Sequence, residues 1–107
     1  MTPENVSAII DTVKGAVLPS ERIAMFNKAC AIDPHDTVVI EELSELIKAV
    51  SKINRCHNNK HLKSLMEEIA DVRIVIERIM RKYNIKEDDI DKLVVFKINH
   101  FIDHYGI

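Results

Sequence analysis

The 107-residue chain has no tryptophan, two glycines, three prolines and two cysteines, and only 5% of its residues are aromatic. So few glycines and prolines leave little material for tight turns or irregular loops, which argues against an all-β chain built on many hairpins. Cys30 and Cys56 form no CxxC pair, so a disulfide framework is excluded and two free thiols are expected. No run of 18 apolar residues occurs, so no membrane-spanning helix is expected. The N-terminal segment MTPENVSAII lacks the basic start and apolar stretch of a signal peptide, and a cytoplasmic location is expected. A formal net charge of −2 offers no broad attraction to a nucleic-acid polymer or an anionic membrane, and neither is expected as a partner. Walker-type GxxxxGK[ST] and GxSxG motifs are missing, as is a basic stripe with interleaved aromatics.

What is present is apolar and charged residues in helical rhythm. Hydrophobic residues make up 47% and charged residues 30%, a balance that describes a folded domain and not a disordered one. The length suggests a single domain, and no internal repeat or low-complexity tract divides it. Thr2, Pro3 and Glu4 suit the start of a first helix, whose apolar positions Val6, Ile9, Ile10, Val13 and Val17 share a face until Leu18-Pro19. Ser20 and Glu21 suit the start of a second, short segment with Ile23, Met25, Phe26 and Cys30 on its apolar side. Asp33, Pro34 and Asp36 open a third that runs to about Asn54, with Val39, Leu43, Leu46, Ile47, Val50 and Ile53 at helical spacing. The polar stretch 54–61 predicts a loop. A fourth helix over 62–83 follows, apolar around so much of its circumference that it calls for cover from more than one side, a second subunit included. Asn84 ends it, and Glu87, Asp88 and Asp89 favour the first turn of a last helix with Ile90, Leu93, Val94, Phe101 and Ile102 on its apolar side. The expectation is an all-α fold of four main helices.

Two acidic segments stand out, Glu41-Glu42-Leu43-Ser44-Glu45 and Glu67-Glu68-Ile69-Ala70-Asp71. Residues three apart on a helix are neighbours, so Glu42 and Glu45 project together, as do Glu68 and Asp71. With the two helices antiparallel across the 54–61 loop, both pairs stand at similar heights and can face each other. Glu42 shares a strip with Val39 and Leu46, and Glu68 with Leu65 and Val72, so these acids border the core. Converging carboxylates repel and lose hydration. Mg²⁺ relieves both penalties, prefers oxygen ligands and retains coordination positions for phosphates. The plainer alternative is that they are solvated helix residues with ion-pair partners such as Lys48.

The two segments, read as Glu41-Glu42-x-x-Glu45 and Glu68-x-x-Asp71 with 22 residues between, resemble the acid motif of the all-α nucleotide pyrophosphohydrolases, the MazG-like family. The flanking stretches VIEELSELIKAV and LMEEIADVRIVIERI are similar as well, and the resemblance covers about residues 36–105 of a single domain, with N-terminal helices over 3–31. It implies a MazG-like bundle in which the two acid-bearing helices form the site. It implies Mg²⁺, with Mn²⁺ as a substitute, held by Glu42, Glu45, Glu68 and Asp71, and hydrolysis of a nucleoside triphosphate to the monophosphate and pyrophosphate by a homo-oligomer, at least a dimer. Glu41 and Glu45 are the implied proton acceptors for the attacking water, and Lys97 and His100 the phosphate contacts; Lys60, by its place near the start of the second acid helix, is a further phosphate candidate, with a solvated lysine as the plainer reading. His100 and His104 stand where arginine is commoner in the family, which keeps open a catalytically weak or inactive helical interaction protein. A relative acting on phosphoribosyl-ATP is the other alternative. Cys56, His57 and His61 make a poor zinc set, with no fourth ligand at useful spacing. Met25 and Phe26 are read as core residues before base-stacking ones.

Overall fold

The computed structural model describes residues 3–13, 15, 18–32 and 37–106. Among these it contains five α-helices and no strand: α1 (Pro3–Thr12), α2 (Ser20–Ile32), α3 (Thr37–Arg55), α4 (Asn59–Lys82) and α5 (Glu87–Tyr105). The expected helix-start residues Thr2, Asp33, Pro34 and Asp36, and Val17 on the first apolar face, lie outside the described residues. Among the described residues no helix is long and apolar enough to cross a membrane.

Two of the helix boundaries differ from the sequence expectation for local reasons. α1 stops at Thr12, where the hydroxyl turns back to the Ile9 carbonyl at 3.1 Å, and Gly15 beyond it takes φ 81°, a left-handed conformation open to a residue without Cβ. The connection between the acid-bearing helices covers only 56–58, three residues of the eight that the polar stretch predicts. Asn58 caps α4 by accepting the His61 amide at 2.8 Å, and His61 Nδ1 lies 2.7 Å from the Cys56 carbonyl oxygen. Polar residues that read as loop are therefore the cap and first turn of α4.

At its other end α4 closes with a Schellman turn. The Ile85 amide donates to the Met80 carbonyl at 2.8 Å and the Asn84 amide to Arg81 at 3.3 Å, with Asn84 at φ 55°. Asparagine is among the few side-chain-bearing residues that accept this conformation. α5 then begins at Glu87 with three acids in its first turn and ends on Gly106 at φ 65°.

α4 is the hub. α3 packs along it most extensively, and α1 and α2 cover further parts of its circumference. The broad apolar surface of α4 finds only part of its cover within the chain, and Leu62, Met66, Ile69, Ile74 and Ile76 stay exposed. Among the described residues the buried ones are Val6 of α1, Val39 and Ala49 of α3, and Val72, Val75 and Met80 of α4. α5 contributes none and packs on no other helix to any extent. Its expected apolar side, Leu93, Val94, Phe101 and Ile102, is exposed.

Candidate metal centre

The short 56–58 connection makes α3 and α4 an antiparallel hairpin. Glu42 lies thirteen residues before the end of α3, and Glu68 and Asp71 lie nine and twelve after the start of α4. These positions meet: Glu42, Glu68 and Asp71 each offer a carboxylate oxygen, all within 4.8 Å of one another. All three side chains are half-buried. The apolar neighbours on their strips set this depth, since Val39 and Val72 are buried and Leu46 and Leu65 half-buried.

The environment opposes their charge. Burial pushes the Glu68 carboxyl above the ordinary carboxylate range, and Asp71, Glu42, Glu45 and Glu67 push it further by repulsion. Glu42 is raised in the same sense, by burial first and then by Asp71, Glu45 and Glu41. Glu68 Oε2 is buried and has no hydrogen-bond partner. A buried acceptor without a donor costs free energy that a cation or a proton would recover. Oxygen-only donors, converging and unsatisfied, fit a hard divalent ion such as Mg²⁺ or Mn²⁺ better than a thiophilic one.

Of the four expected ligands, the structure brings three together. Glu45 stands at the rim, 51% exposed, with its Oε1 at 3.4 Å from Lys48 Nζ. Glu45 matches Glu68 in height, but its side chain turns to Lys48 instead of joining the three. Glu41 is exposed and reaches the cluster only through its charge on Glu42. Lys60 lies in the first turn of α4, eight residues before Glu68, which is about 12 Å along the axis. Lys97 and His100 are on α5 with Phe96, Phe101, His104 and Tyr105 beside them, and the structure does not bring them to the carboxylates. Among the described residues the acid trio is the one group arranged to hold a metal, and Cys56, His57 and His61 form no such group. Met25 is exposed instead of packed in the core, and Phe26 is half-buried beneath the Arg81 guanidinium, 5.5 Å from its ring centre.

Sequence reasoning missed one element of this region. Val6, Ile9 and Ile10 of α1 meet Met66, Ala70 and Ile74 of α4 around an apolar pocket of about 340 Å³, with Glu67 and Asp71 at its edge. Its apolar residues are legible as helix faces, but their convergence beside Asp71 depends on where α1 docks. No protein-family profile matches the chain, and neither a curated protein nor a solved structure matches it.

Proposed function

We propose that this chain is a Mg²⁺-dependent nucleoside triphosphate pyrophosphohydrolase with a MazG-like helical arrangement, converting a (d)NTP and water to the (d)NMP and pyrophosphate. The observation that carries the reading is the meeting of Glu42, Glu68 and Asp71 across the α3–α4 hairpin, with Glu68 Oε2 buried and unpaired. In this reading the three carboxylates hold the ion and Glu45 completes the set by turning inward from the rim. Bound there, Mg²⁺ supplies charge neutralisation for the phosphate oxygens and an oriented, acidified water.

The remaining tasks fall to the chain. Glu45 or Glu41, both open to solvent beside the cluster, accepts the proton of the attacking water. The apolar pocket against Asp71 holds the base by contact, at the small end of the size range for ligand sites. Lys60, Lys97 and His100 are the cationic or protonatable groups assigned to the phosphates. For Lys97 and His100 this requires a different relation between α5 and the hairpin, or a second chain. The protein acts in the cytoplasm as an assembly of at least two copies.

That distance of α5 from the carboxylates is also the observation that favours a second reading, a helical interaction protein that keeps the acidic face without turnover. Pyrophosphate release across the common NTPs, dNTPs and phosphoribosyl-ATP, with and without Mg²⁺, separates the two. Mg²⁺-dependent release that disappears in Asp71→Ala supports the hydrolase. No release from any of these substrates, with wild-type protein indifferent to Mg²⁺, removes it.

A further inference from the structure

The monomer is too open for its size. Its accessible surface is 8749 Å², whereas a compact 12.3 kDa monomer exposes roughly 6,100 Å². Its radius of gyration is 16.7 Å, against about 13 Å for a compact chain of this length. Exposed apolar side chains occur on α3 and α4 as well, but the nineteen residues of α5 bury no side chain and pack on no other helix to any extent.

α5 is not a polar arm. Val94, Val95, Ile98, Phe101, Ile102 and Tyr105 lie on one broad arc of the helix and are all exposed. Their exposed fractions amount to on the order of 600 Å² of apolar surface, close to one partner's share of a standard interface at ~800 Å². Val94, Ile98, Phe101 and Tyr105 alternate four and three apart, the spacing of a helix-to-helix seam. Phe101 and Tyr105 are already packed ring to ring at 4.6 Å.

The charge on α5 is divided along its length. Glu87, Asp88, Asp89 and Asp91 outnumber Lys92 in the first half and leave it net negative, whereas Lys97 and Asp103 balance in the second half beside His100 and His104. A parallel pair of such helices would place two acid clusters side by side. An antiparallel pair sets each acid cluster toward the charge-balanced end of its partner, and opposes the helix dipoles as well. The same surface then serves both chains, as a two-fold interface requires.

We propose that α5 is the docking surface for a second copy of this chain and pairs antiparallel with its α5. The two-fold passes between Lys97 and Ile98, so that Val94 meets Phe101 and Ile90 meets Tyr105. This assignment does not depend on the pyrophosphohydrolase reading.

The test is sedimentation velocity of the full chain at tens of micromolar, with circular dichroism to follow folding. Wild type should sediment at twice the 12.3 kDa chain mass. Ile98→Glu should weaken association roughly 100-fold, as loss of a central interface anchor does, with its helical signal retained because α5 supports no core. A wild-type monomer, or an Ile98→Glu dimer as tight as wild type, overturns the proposal. Oxidative cross-linking, with disulfides mapped by mass spectrometry, reads the orientation. Ile98→Cys should link to itself, and Ile90→Cys should link to Tyr105→Cys when the two proteins are mixed. Ready self-linking of Ile90→Cys would overturn the antiparallel pairing.

Discussion

α3 and α5 are both nineteen-residue helices with recurrent apolar residues and similar numbers of acids in their first halves, yet they meet opposite fates. α3 turns back on α4 through three residues, buries Val39 and Ala49, and brings Glu42 against Glu68 and Asp71. α5 follows a Schellman turn that aims it away from the hub and buries nothing. Amphipathicity is therefore a requirement for cover and does not name the cover. α3 buries Val39 and Ala49 within its own chain and still leaves Ile40, Leu43, Ile47 and Val50 exposed. In α5 the apolar arc is offered outward, where the proposed second copy would cover it.

The largest expected effects separate the two helices' surroundings by stability. Met80 near the end of α4 is 8% exposed, and Met80→Ala should destabilise the fold by about 2–5 kcal/mol. Phe96 is 69% exposed and stands off the α5 pairing arc, so Phe96→Ala should cost about 0.5 kcal/mol or less. Urea unfolding of both variants checks the contrast, and equal losses would mean that α5 is packed in solution in some other way.

Mg²⁺ should sharpen the same contrast at somewhat smaller scale. At ten times its dissociation constant the ion should stabilise the wild type by about 1.4 kcal/mol through mass action. Glu68→Ala and Asp71→Ala should lose this gain. Without the ion they should melt no lower than wild type, since each removes a repelling carboxylate. Hydrogen exchange should show the added protection in α3 and α4 and not in α5. A wild-type melt unmoved by millimolar Mg²⁺ would leave the acid trio as a surface cluster.

The pH response follows from the raised carboxyls of Glu42 and Glu68. A carboxyl whose value is higher in the folded state favours folding while protonated. Its contribution is full below the unfolded value and is lost as pH rises through the folded one. Metal-free protein should therefore lose this contribution as pH climbs past the ordinary carboxyl range toward neutrality. Mg²⁺, which binds the ionised forms, should offset the loss. Comparing melts of wild type with Glu68→Gln across that range isolates the effect, and a wild-type slope no steeper than the variant's would contradict it.

The smallest effects should come from the exposed ion pairs on either helix. Lys48–Glu45 on α3 is 3.4 Å apart and Lys92–Asp88 on α5 3.3 Å, both solvated. Lys48→Ala and Lys92→Ala should each change stability by no more than a few tenths of a kcal/mol. A larger loss for Lys48→Ala alone would show Glu45 to be more firmly placed than its exposure suggests.

Helical spacing, the pairing of Glu42 with its apolar strip mates and of Glu68 with its own, and the absence of turn residues were enough to read an all-helical chain with two acid-bearing helices. These are local properties, set by a 3.6-residue period and by which side chains tolerate burial. The sequence by itself determined where the acids lie along their helices and that they border the core. Tertiary structure decided which of them meet. Asn58 and His61 tightened the turn between α3 and α4, Glu42 met Glu68 and Asp71 across the hairpin, and Glu45 turned to Lys48 at the rim. It also decided the partner of each apolar face. An amphipathic stripe carries the same pattern whether its own chain or another covers it, and only the exit angle after Asn84 distinguishes α5, turned outward, from α3, folded home.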